Sequence, residues 1–255
     1  MFEIVKLALA ALWGHKLRAF LTTLGIAIGV FTVGTVMAII DGLNKSFTDQ
    51  ISMLGSDVFY ISTHKWAGGY EDWIRSWKRK AITPAVAEYI LENGHLIDIA
   101  SPMLGRRSTL KYNDKSLDAV EVAGVNQYAL EIDGSNMSEG RFFSAADVSH
   151  RKNVVTIGDE VRQEFFPRID PLGQTLKISG HKFTVIGCLE KKGNMLGNNM
   201  DNRVQIPYLT FSKVFGGKRT NTTIAAKAVS PELVDEAHDE LRALLRHYRG
   251  LKPQD

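Results

Sequence analysis

"LRAFLTTLGIAIGVFTVGTVMAIIDG", Leu17 to Gly42, decides how the chain is read. Between Arg18 and Asp41 it carries no charge, whereas the 255-residue whole is 23% charged with a mean hydropathy of −0.10. Ala19 to Ile40 gives 22 uncharged residues, and at about 1.5 Å per residue a helix of that length crosses a hydrocarbon core of ~30 Å. The only polar side chains in it are Thr22, Thr23, Thr32 and Thr35, whose hydroxyls can bond back to their own helix. The stretch reads as a membrane span rather than a cleaved leader. A leader's apolar core is shorter and ends in a small-x-small site, and "VMAIIDGLNKSF" lacks one.

The flanks set orientation. Lys6, Lys16 and Arg18 precede the span against a single acid, Glu3, while the rest of the chain is nearly balanced. The positive-inside bias puts the N-terminus in the cytoplasm and residues 41–255 outside. With a net charge of only +3 there is no basic excess for a nucleic-acid partner. Before the span, Phe2, Val5, Leu9, Leu12 and Trp13 recur at helical spacing. This fits an interfacial helix over residues 1–15 on membrane lipids, or a cytoplasmic extension of the span; Gly14 offers a bend that favours the former. Trp13, Lys16 and Arg18 are the interface anchors. Gly25 and Gly29 form G-x-x-x-G, which lets two helix backbones approach closely in lipid.

The helical stripe Leu43, Phe47, Ile51, Leu54 carries the helix outward to a stop at Gly55, so it is assigned to residues 16–55. Residues 56–255 interleave short strands and helices without a regular βα period, which predicts an α+β extracytoplasmic domain of two lobes. "TPAVAEYILENG" predicts a helix with Thr83 as N-cap and Gly94 after its end. "SAADVSH" predicts one capped by Ser144, "QTLKISGHKFTVIGCLE" a hairpin about Gly180, and Pro231 to about His247 a final amphipathic helix. The lone Cys188 reads as a small buried hydrophobe in a strand. Two loops, 64–82 and 191–202, are candidate partner contacts by location, through Trp66, Tyr70 and Trp73 and through Asn194, Met195 and Asn198.

No catalytic constellation is present. The histidines make no H-E-x-x-H, the serines no G-x-S-x-G, and "KKGNMLGNNMDN" lacks the Lys-Ser/Thr of a phosphate loop. The expectation is a non-enzyme with no catalytic residue, metal or cofactor.

"HKLRAFLTTLGIAIGV", "LGSDVFYI", "EGRFFSAADV", "DPLGQTLKISGHKFTVIGCLEKKG" and "DNRVQIP" stand in this order, and together they resemble permease subunits of the MacB/FtsX-type ABC transporters. The resemblance runs from His15 to about Pro207 and matches the MacB-like periplasmic core domain. It implies a bacterial inner-membrane permease that dimerises with itself or a second permease subunit, binds a separate or fused cytoplasmic ABC ATPase, and relays ATP-driven motion outward. A periplasmic adaptor is a further implied partner. Family permeases have four spans, three of them after the outer domain, so the resemblance also implies spans beyond this sequence, in a longer chain or a second subunit. The other reading of the residues is a single-span anchored binding or adaptor module acting without ATP.

Overall fold

The computed structural model describes residues 16–53, 57–63, 74, 81–195, 198–216 and 222–250. The chain divides into two compact units, one ending at Ile51 and one beginning at Ser52.

Among the described residues the first unit is helical: α1 spans Lys16–Met53 and ends just past the boundary. Over Lys16–Leu43 its mean hydropathy reaches 2.2 with none of the most apolar window buried. Leu17, Phe20, Phe31 and Met37 are all exposed. A helix this apolar, with no face covered, suits lipid rather than water. Its threonines do what the sequence requires of them. Thr22 Oγ1 donates to the Arg18 carbonyl (2.9 Å), Thr23 to Ala19 (2.8 Å), Thr32 to Ile28 (2.7 Å) and Thr35 to Phe31 (2.8 Å). No polar hydrogen is then left facing hydrocarbon.

The second unit is α+β. Its strands are β1 (Val58–Ile61), β2 (Ile97–Tyr112), β3 (Lys115–Val125), β4 (Met137–Gly140), β5 (Val154–Ile157), β6 (Thr175–Ile178), β7 (His181–Leu189), β8 (Asn194–Met195), β9 (Asn198–Asn199), β10 (Arg203–Pro207) and β11 (Thr222–Ala228). Its helices are α2 (Ala85–Asn93), α3 (Ala129–Asp133), α4 (Ala145–Ser149), α5 (Asp159–Phe165), α6 (Tyr208–Phe215) and α7 (Val234–Arg249).

One mixed sheet runs β1-β11-β2-β3-β10-β5-β7-β4, and β6 pairs with both β2 and β7. The pairings β2–β3, β3–β10, β10–β5, β5–β7, β7–β6 and β6–β2 therefore close a ring. Closure is made possible by the length of β2. That strand runs unbroken from Ile97 through Gly105 to Tyr112. Its far end pairs with β6 at Leu110 and Lys111. A bulge shifts the β2–β3 register between Ser108 and Leu110, and Ala119 beside it sits at φ +57°. Such bulges bend a strand and sharpen its twist, as a ring of few strands needs.

Two cores follow. Inside the ring Leu104, Val120, Val122, Val155, Phe183 and Ile206 pack with Phe211 of α6. Outside it, α2 and α7 bury Ile90 and Leu241 on β2 and β11, against Ile224 and Ala226. β2 contributes to both, with Leu104 and Leu110 in the first and Ile97 and Ala100 in the second.

The local expectations mostly hold. α4 has Ser144 as N-cap in a reciprocal box with Asp147. The β6–β7 hairpin turns through Ser179 (φ +48°) and Gly180 (φ +84°), the left-handed pair that a two-residue hairpin demands. Cys188 is fully buried in β7, and burial pushes its thiol up to about 11. One cap is corrected. α2 starts at Ala85 with Pro84 in the cap position and no side-chain cap bond. Thr83 contributes its carbonyl instead, accepting from Val86 N–H at 3.0 Å. Pro84 takes helical φ and ψ of −54° and −29°, so the first turn closes on backbone alone.

Candidate functional site

The residues singled out in the sequence do not converge. Gly25 and Gly29 lie on α1, where a Cβ added to either meets nothing within 4 Å. Lys16 and Arg18 lie in its first turn. Trp13, Trp66, Tyr70 and Trp73 lie outside the described residues, as does Gly55. Asn194 and Met195 form β8, paired in register with Asn199 and Asn198 of β9. This small hairpin is held at its base by Asp201, whose carboxylate accepts from Lys192 N–H (2.8 Å) and Gly193 N–H (2.9 Å).

The structure instead assembles a cleft of about 510 Å³ on the outer face of β2, β3 and β10. Alternation along the strands builds it. The residues that β3 and β10 point into the ring, Val120, Val122, Val204 and Ile206, are apolar, so their neighbours point out. Arg107, Glu121 and Arg203 stand side by side in one row, and Gly105, Ala123 and Gln205 in the next. The floor therefore dips at Gly105 and Ala123, the two smallest side chains. Met103 and Val125 extend it on the apolar side, and Ile132 of α3 and Tyr60 of β1 form walls.

The charged end is anchored by α3. Arg203 Nη2 lies 3.1 Å from Asp133 Oδ2 and donates to Ser135 Oγ at 3.0 Å. Lys192 Nζ lies 3.8 Å from Asp133 Oδ1 and also donates to the Asp133 carbonyl. Burial pushes the Lys192 ammonium down, and the Asp133 carboxylate opposes that shift. Tyr60 is raised, first by burial and then by Asp133. Asn126 ties the start of α3 to β2 by donating to the Ala100 carbonyl at 3.0 Å.

Two polar atoms of the lining, Arg203 Nε and Gln205 Oε1, are buried without a partner among the described residues, as is Thr156 Oγ1 next to the cleft. Gln205 and Thr156 are register partners across β10 and β5. Arg107 and Glu121 are exposed, and their side chains make no ion pair or hydrogen bond among the described residues. Arg106, at the rim, stacks over Phe215 at 5.5 Å.

The sequence reading missed this cleft. One signal was available. "RVQIP" is buried at every position yet carries Arg and Gln at alternate places, so one face of that strand meets something polar.

Comparison with known proteins gives a consistent answer. Residues 19–244 match the family described as MacB-like periplasmic core domain. The macrolide export ATP-binding/permease protein MacB of Neisseria gonorrhoeae is 30% identical over 248 residues, 97% of this chain and 38% of that protein. The MacB of Shewanella sp. is 30% identical over 250 residues, 98% of this chain and again 38% of the relative. The chain thus spans well under half the length of these relatives, and their ATP-binding part lies outside the matched stretch. Among solved structures, the periplasmic region of MacB from Actinobacillus actinomycetemcomitans superposes with a TM-score of 0.67 at 21% identity, covering 79% of this chain and 88% of that one. The extracellular domain of the ABC-type transporter YknZ from Gram-positive bacteria gives 0.60 at 17% identity, covering 76% and 94%. A ringed α+β domain behind one long apolar helix, matched in sequence from the span to α7, belongs to the MacB-like periplasmic core domain family.

Proposed function

We propose that the chain is a non-catalytic permease portion of a MacB-type ABC transporter, relaying ATP-driven motion from an ATPase to its outer domain for export or extraction of a substrate. The observation that carries this reading is the direct succession of an uncovered apolar helix and a matched core domain. Lys16 and Arg18 keep the helix's N-terminal side in the cytoplasm, and the second unit then works in the periplasm of a bacterial inner membrane. The chain acts as a dimer, with itself or with a second permease subunit, and with a periplasmic adaptor where export crosses a second membrane.

Affinity isolation of the tagged full chain from its native membranes tests this. An ABC ATPase is expected to co-purify. Cross-linking between outer domains is expected to differ between nucleotide-free and ATP-analogue-bound membranes. Partner binding that ignores nucleotide, with no ATPase recovered, replaces the transporter reading with the anchored binding module.

The dimer has its own test. Leucine at both Gly25 and Gly29 leaves the helix itself intact, because both sites open onto free space. It is expected to weaken self-association in a membrane reporter assay by about 1 kcal/mol or more. Unchanged association removes the glycine face from the interface.

A further inference from the structure

We propose that the cleft on β2, β3 and β10 is a binding site for a small apolar zwitterion, a molecule with an aliphatic body and adjacent ammonium and carboxylate groups. The inference does not depend on the chain's working in a transporter.

The size fits. About 510 Å³ lies within the roughly 300–1,000 Å³ typical of small-molecule sites. The chemistry is divided along the strands. Toward Met103, Val125 and Ile132 the lining is apolar, which suits an aliphatic body. One strand step past the Gly105–Ala123 saddle, Arg107 and Glu121 face each other as register partners, each without an ion-pair partner among the described residues. A ligand bearing a single charge satisfies one of them and repels the other. A ligand bearing both signs satisfies both.

Between these halves sits Gln205. It is only 2% exposed, yet its Oε1 accepts from nothing described, and Arg203 Nε donates to nothing. Buried polar atoms of this kind cost free energy unless paired. An ammonium is a donor for Gln205 Oε1, and a carboxylate is an acceptor for Arg203 Nε. Asp133 already holds the other end of the Arg203 guanidinium, so that side chain is fixed before the ligand arrives. Every group the ligand would use belongs to strands of the ring or to α3, not to a free loop.

The cleft floor supplies its own reporter. Gly105 has open space where a Cβ would go, so Gly105→Cys places a thiol on the saddle without disturbing the fold. Native Cys188 is buried and its thiol is pushed up to about 11, so background labelling is low. The full chain carrying Gly105→Cys, in lipid nanodiscs at neutral pH, is labelled with a maleimide in the presence of 2-aminodecanoate, decanoate or decylamine. These three probes share an aliphatic body and differ in charge.

The expected result is that 2-aminodecanoate slows labelling by about tenfold, equivalent to ~1.4 kcal/mol of occupancy, and that the two singly charged probes slow it far less. Arg107→Gln and Glu121→Gln, both exposed and outside the cores, are each expected to erase that preference. No protection by any probe overturns the proposal. Equal protection by all three, or a preference that survives both substitutions, also overturns it and leaves an apolar groove without head-group recognition.

Discussion

Replacing Asp147 by alanine is expected to lower the melting temperature of the outer domain by roughly 5–10 °C, the equivalent of about 2–3 kcal/mol in a domain of this size. The residue lies in "EGRFFSAADV", and the structure gives that stretch a physical meaning. The Asp147 side chain is 1% exposed, and each of its carboxylate oxygens faces a cation. Oδ2 accepts from Arg141 Nη1 (2.7 Å), Ser144 N–H (3.0 Å) and Ser144 Oγ (2.9 Å). Oδ1 meets Lys152 Nζ at 2.8 Å. Ser144 Oγ in return accepts from Asp147 N–H at 3.2 Å. The Ser144 cap bond to the residue-147 N–H survives this substitution, so the loss comes from the unpaired Ser144 N–H and the lost charged bonds. The cost stops short of a fully buried ion pair because the Arg141 and Lys152 side chains are about half exposed, at 55% and 52%. Water takes them back. Arg141→Ala is therefore expected to cost less than Asp147→Ala, and the reverse order would contradict this account.

The same carboxylate makes the domain sensitive to acid. Arg141 above all, then Lys152 and Ser144, hold its pKa well below the usual carboxylate range against the opposing effect of burial. A carboxyl lowered by folding contributes stability that is complete above its unfolded pKa of about 4 and is lost as pH falls toward the folded value. Asp147→Asn keeps the shape but not the charge. The gap in melting temperature between the native chain and this variant is thus expected to be largest near pH 7 and to narrow toward pH 3. A gap independent of pH would assign the effect to packing alone.

What the sequence made legible was local. The Ser144 cap, the Gly180 hairpin and the amphipathic α7 each depend on residues within a turn or two of one another, where periodicity and capping chemistry act directly. The length of β2 was not legible. Gly105, Arg106 and Arg107 interrupt its apolar run, and only the ring closure by β6 shows that the backbone continues through them. α6 was missed for a related reason. Its Phe211 is defined by what it fills, since a Cβ on Gly124 would lie 2.6 Å from the Phe211 Cβ. The cleft is the least local feature of all. Asp133 receives Lys192 from 59 residues away, and Arg107, Glu121 and Arg203 become neighbours only through register. Alternation within a strand predicts which residues share a face, but not which strands will lie side by side.

Arginine at Ile28 is expected to remove much of the chain from the membrane fraction, and arginine at both Ile28 and Val33 to remove nearly all of it. Ile28 and Val33 are exposed on α1 near the middle of the uncharged stretch Ala19–Ile40. One arginine at a helix centre costs about 2.5–3.5 kcal/mol on an insertion scale, and each Leu, Ile, Phe or Val in the span returns only about 0.3–0.6. A dozen such residues diluted by glycine and threonine leave a margin that one arginine nearly cancels and two exceed. Neither position is near enough to an end for the guanidinium to reach the interface easily. The threonines do not compete in this balance, because each hydroxyl is already bonded within the helix. Alkaline carbonate extraction of the full-length variants reads the outcome. If the double variant stays in the pellet, the amphipathic stretch before Lys16 or another part of the protein holds the chain to the bilayer. Leu17 to Gly42 would then not be the anchor, and the path from cytoplasm to outer domain would have to run through other spans.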